Sequence, residues 1–195
     1  MITATKPTMR ASAGEPEQLT ASARVRTPRF AVEVVLFLLL LVGGGLLLWG
    51  STFVKDMVHD QLSDQKIFFP VKGSDALSPA EFPGLQRYAG QAVNSGPKAK
   101  AYANEFIAVH VAHIANGKTY AQVSAASQAN PTDTALAAQA NSLFKGETLR
   151  GLLLSVWGWS VVALIAFATA LAAFAGAGTV LLATTYSFLH TGEQR

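Results

Sequence analysis

Hydrophobic and polar positions along this chain separate into blocks. Residues 34–54 form a charge-free, leucine-rich run, and residues 151–192 form a second, interrupted only by His190. About 20 apolar residues carry a helix across the hydrocarbon core of a bilayer, so each block predicts a transmembrane helix. The second block is longer than one crossing needs. Folded back at Gly176-Ala177-Gly178, it would leave only residues 179–190 for a return limb, which at 1.5 Å per residue reaches about 18 Å of a core about 30 Å thick. A single helix is therefore expected. Trp157 and Trp159 would lie in the outer aromatic belt and Tyr186 in the inner one, while Trp49 and Phe53 mark the outer end of the first span.

Between the blocks the pattern is helical. Gly96-Pro97 sets a proline at a helix start, and the residues after it place Tyr102, Phe106, Val109 and His113 on one face, with Ala103, Ile107, His110 and Ile114 beside it. Asn116-Gly117 ends that helix, and Thr119 N-caps a short second one. Asn130-Pro131-Thr132-Asp133 caps a third, whose only breakers are Gly146 and Gly151, so it is expected to run directly into the second span. Residues 54–66 prolong the first span as helix until Ile67-Phe68-Phe69-Pro70 turns the chain, and Pro70, Pro79 and Pro83 leave residues 70–84 loop-rich. No strand alternation or internal repeat is evident.

The fold class expected is an all-α membrane protein, two transmembrane helices enclosing a small helical extracytoplasmic domain. Residues 1–30 read as a disordered cytoplasmic tail, because Pro7, Pro16 and Pro28 fall among Ser, Thr and Ala with no apolar periodicity. Residues 31–54 are the first span, 55–150 the outer domain, 151–190 the second span with an outward extension, and 191–195 a cytoplasmic tail. The first run exceeds the 7–15 residues of a signal-peptide core and ends without a small-x-small cleavage pattern, so an uncleaved anchor is expected. Arg24, Arg26 and Arg29 precede it without an interleaved acid, whereas Lys55, Lys66 and Lys72 beyond it alternate with Asp56, Asp60 and Asp64. The positive-inside rule then puts both termini in the cytoplasm.

Composition narrows the function classes. The net charge is +3, and between residues 55 and 150 nine basic residues face eight acidic ones, which argues against nucleic acid as a partner. With no cysteine there is no disulfide framework, thiolate nucleophile or cysteine-held metal. The one candidate metal constellation is His110 and His113, three apart on a helix, with Glu105 upstream and His59 as a possible further ligand. A bare H-x-x-H lacks the third ligand and built-in base of stronger signatures, so packing histidines are the expectation, with no metal and no cofactor. Gly117-Lys118-Thr119 ends like a phosphate loop, but Ala112 stands where its first glycine belongs and a helix, not a strand, precedes it. Lys145, Glu147 and Arg150 read as snorkelling anchors above the second span.

The spans themselves offer packing surfaces. Gly43, Gly44 and Gly45 interrupt the first, and Ala166, Ala170, Ala173 and Ala177 make a small-residue face on the second. In lipid such faces matter because they let backbones approach closely. Neither span has an ionisable residue in its interior, Glu33 being at the edge, so an ion path through this subunit is not expected.

Tyr102-Ala103, His110, Gly117-Lys118-Thr119-Tyr120-Ala121 and the run from Leu143 to Leu153 (Leu-Phe-Lys-Gly-Glu-Thr-Leu-Arg-Gly-Leu-Leu) carry a resemblance. Over roughly residues 50–175 the chain resembles a group of uncharacterised two-span actinobacterial membrane proteins, some labelled LigA-type aromatic ring-opening dioxygenases. What the resemblance implies is a shared architecture and an actinobacterial setting. The function expected is a non-enzymatic membrane protein acting in assembly, as a homo-oligomer or as accessory subunit of a larger envelope or respiratory complex. Its partners would be the lipid bilayer and either a membrane protein or itself. A membrane-anchored metalloenzyme using His110 and His113 and an extracytoplasmic ligand-binding module are the alternatives.

Overall fold

The computed structural model describes residues 16–192, with side chains from Arg29 to His190; the rest of both tails lies outside the described residues. The first helix, α1, runs Pro16–Asp64, further toward the N-terminus than the disordered tail expected for residues 1–30. Pro16 occupies the first helical position, where its missing N–H is no loss. The residues after it are rich in Glu, Gln, Leu, Ala and Arg, which extend a helix already nucleated by the apolar run. Pro28 is carried inside at a cost of about 3 kcal/mol.

Beyond α1 the chain turns through Lys66 in the left-handed region, φ 52°. Residues 67–70 then pair with residues 90–93: Phe69 N–H donates to the Gln91 carbonyl at 2.9 Å and Val93 N–H to the Ile67 carbonyl at 2.8 Å. Only an isolated antiparallel bridge, Phe68 with Ala92, results, and it fixes the fully buried Phe69 and Val93 in the core. Two tight turns, Asp75–Leu77 and Pro83–Tyr88, bury Leu77 and Leu85.

A composite helix follows. α2 (Gly96–Ala101) passes into a widened turn over Tyr102–Ile107, in which Ala108 N–H reaches back to the Ala103 carbonyl, and then into α3 (Ala108–Ala115). Asn116 closes it in the left-handed conformation, φ 50°, as Asn does where a helix stops. Thr119 and Gln122 form a reciprocal capping box for α4 (Tyr120–Ala129), and Asp133 accepts from Leu136 N–H at 2.9 Å at the start of α5. α5 is one unbroken helix, Thr134–Gly192, passing through Gly176-Ala177-Gly178 without reversal.

The chain divides into two compact units, the early part of α1 with residues from Leu171 onward, and Leu46–Ala170. In the first, Phe30 meets Phe188 edge-on at 5.7 Å, Thr184 Oγ1 donates to Glu33 Oε2 at 3.0 Å, and Gly44 lies against Ala173 and Phe174. Numbers rise on one helix as they fall on the other, so the two pack antiparallel. Glu33 also accepts from Arg29 Nε at 3.0 Å, which compensates its charge at the edge of the apolar run. In the second unit Ser51 is buried and donates to the Ala163 carbonyl at 2.9 Å. Its core gathers Val58, Leu62, Phe69, Leu85, Val93, Ala99, Val111, Val123, Leu143 and Leu153 from every helix and from the 67–93 loop region.

Candidate functional site

Five aromatic residues of the second unit and His110 form a file. Phe69 stacks on Tyr88 at 5.2 Å and meets Tyr102 edge-on at 5.1 Å; Tyr102 contacts Phe106 at 4.9 Å, and Phe106 contacts His110 at 4.4 Å. Phe82 closes the far end, 5.6 Å from both Phe106 and His110. Tyr102, Phe106 and His110 recur every four residues, and the widened turn lies beneath them. Burial pushes the Tyr102 phenol above its ordinary range, because the phenolate would lose its hydration.

The candidate metal residues disperse within this unit. His110 is half-buried between two phenylalanine rings, and its Nδ1 lies 2.9 Å from the Phe106 carbonyl. A carbonyl only accepts, so Nδ1 carries the proton and donates. His113 is exposed and faces Glu81 at 3.6 Å. Glu105 lies over Gly84, where a Cβ would come within 2.8 Å of its Oε2. His59 lies 3.1 Å from the Asn94 carbonyl through Nδ1, which is likewise the donor. Among the described residues no group of three or more His, Cys, Asp or Glu comes together to hold a metal ion.

The small residues have unequal surroundings. Gly43 and Gly45 have open space where a Cβ would go, whereas a Cβ on Gly44 would lie 3.0 Å from a Phe174 ring carbon and 3.3 Å from Ala173 Cβ. Ala170 and Ala177 are buried, Ala166 and Ala173 half-buried. Among the covered positions of α1, Phe37, Leu40, Gly44, Leu47, Ser51, Val54 and Val58 follow one another at spacings of three and four, the period of a helix–helix seam. Gly44 and Ala173 thus meet within the chain, and that close approach is not a surface offered to a partner. Ser51 is neither glycine nor alanine, and its place seven residues after Gly44 is the one sequence signal that puts it on this seam.

The interfacial residues also separate. Trp49 and Phe53 are exposed and stack on each other at 5.7 Å, and Tyr186 stacks on His190 at 4.0 Å. Arg150 turns inward, bonding Glu147 and Asn104 at 3.4 Å each, and its buried Nε has no partner among the described residues; Lys145 is exposed. Trp159 is exposed, and Trp157 is half-covered by Lys100, whose ammonium sits 4.3 Å from the ring centroid. Lys100 was not singled out by sequence, since Gly-Pro-Lys-Ala-Lys-Ala names no partner for either lysine.

Comparison with protein-family models, with curated proteins and with solved structures finds no match.

Proposed function

We propose that this chain is a two-span membrane protein with both termini in the cytoplasm and residues 55–150 outside, acting without catalysis as an assembly or accessory subunit. The observation that carries the membrane part is exposure. Only 6% of the most apolar stretch of α1 and 17% of that of α5 is buried, whereas a core helix of a water-soluble fold is mostly covered. Twelve large apolar side chains from Phe30 to Phe53 are exposed; at roughly half of the 1.5–3 kcal/mol each gains on leaving water, the penalty in water is on the order of 10–20 kcal/mol. That rivals the whole stability of a domain. A shallow groove on α1 lined by Ala31, Val32, Val35, Leu36 and Leu39 has the chemistry of acyl chains.

The assembly part rests on the outer unit. Its aromatic file is packed ring on ring, while Tyr120 and Phe144 stand exposed and in contact, 5.7 Å apart, as an apolar pair open to another protein. Purification in mild detergent with cross-linking tests this. Wild type should retain a partner or a second copy, and Tyr120→Ser with Phe144→Ser should lose it. Retention unchanged by the double substitution, or no retained protein at all, would refute the assembly role.

A further inference from the structure

The short helix α2 lies at the rim of the second span. Gly96 packs so tightly on α5 that a Cβ there would overlap the Ser160 side chain and stand 3.6 Å from the Trp157 backbone. Ser51, near the outer end of the first apolar run, bonds Ala163 less than one turn away along α5. On the membrane reading, which this inference requires, α2 therefore sits at headgroup depth on the outer side, beside Trp157 and Trp159. It carries two lysines and no acid, and no acidic residue lies between Glu81 and Glu105.

Both ammonium groups are held by neutral partners. Lys100 rests over the Trp157 ring at 4.3 Å, and Lys98 Nζ donates to Asn94 Oδ1 at 3.1 Å. Neither has a carboxylate within ion-pair distance among the described residues. Glu105 lies over Gly84 and Glu81 faces His113, while Asp56 on α1 is exposed on the turn next to Lys55. Arg150, the basic residue expected to anchor this region, spends two of its donors on Glu147 and Asn104. The charge available to the interface has moved down to α2, where each lysine keeps unused N–H donors.

We propose that Lys98 and Lys100, the latter backed by Trp157, make α2 a docking surface for anionic phospholipid headgroups of the outer leaflet. The aromatic ring orients one ammonium and Asn94 the other; two residues apart on α2, they project from different sides of the helix, so each donates to a headgroup phosphate of its own while the acyl chains run along the apolar faces.

The test uses the full-length chain in neutral detergent, with lipid retention counted by native mass spectrometry during titration with phosphatidylglycerol or phosphatidylcholine. Wild type should prefer phosphatidylglycerol, and each of Lys98→Gln and Lys100→Gln should lower that preference about fivefold, as expected for one basic residue near an anionic surface. Lys118→Gln should leave it unchanged. Equal preference in the Lys98→Gln/Lys100→Gln protein, shown folded by its circular dichroism, would overturn the site, as would displacement of the lipid by millimolar inorganic phosphate. Flotation of wild type with vesicles is scored separately: a chain that fails to float overturns the membrane reading, and one that floats without lipid preference overturns only the docking site.

Discussion

Replacing Gly44 by leucine probes the packing of α1 against α5, and the two neighbouring glycines supply the control. A Cβ at Gly44 alone would stand 3.0 and 3.2 Å from two Phe174 ring carbons and 3.3 Å from Ala173 Cβ, closer than ordinary van der Waals contact, so the remaining leucine carbons must displace the ring or separate the helices. Such overpacking costs about 1–3 kcal/mol. Gly43 and Gly45 have nothing within 4 Å of the same position, and there leucine should gain up to about 1 kcal/mol of helix propensity. Because the propensity change is common to all three, the difference between Gly44→Leu and Gly43→Leu isolates packing, at about 1–3 kcal/mol. The assay is reversible unfolding in mixed micelles with increasing sodium dodecyl sulfate, followed by circular dichroism at two protein concentrations tenfold apart. The Gly44→Leu midpoint should fall, Gly43→Leu and Gly45→Leu should hold or rise, and none should depend on concentration, since the contact is within one chain. Three equal shifts would refute the packing argument. A concentration-dependent loss at Gly44 would assign that face to a partner instead.

Elemental analysis of the purified protein should find no stoichiometric transition metal, and His110→Ala with His113→Ala should leave the content unchanged; about one zinc, iron or copper per chain, lost in the double substitution, would establish the enzyme alternative. Because burial raises the Tyr102 phenol, the folded chain keeps that proton after the unfolded chain begins to lose it near pH 10, so stability should fall as pH rises through that range. Tyr102→Phe should flatten that slope in denaturant titrations between pH 9 and 11, and an unchanged slope would contradict the assignment.

Local signals carried far in this sequence. Asn116-Gly117 stops α3 with both residues at positive φ, Thr119 caps with Gln122 as its spacing implied, and the absence of a strong breaker after Asp133 matches a helix unbroken through Gly192. Each depends on a few neighbouring residues. What escaped reading depends on a distant partner. The pairing of residues 67–70 with 90–93 has too few residues for period-2 alternation, and the widened turn at Tyr102–Ile107 has no composition of its own. Among three identical glycines, only the position of Phe174 and Ala173 distinguishes Gly44. His110 and His113 look equivalent at i and i+3, yet Phe82 and Phe106 enclose one while the other faces Glu81.

Accessibility of single cysteines in intact cells tests the central claim most directly, because the native chain has none to interfere. Ser74→Cys and Ser127→Cys, both in the region between the two spans, should react with a membrane-impermeant maleimide, and Ser12→Cys should react only after the membrane is permeabilised. Labelling at Ser12 alone would invert the topology. Equal labelling of all three only after permeabilisation would contradict the two-span account.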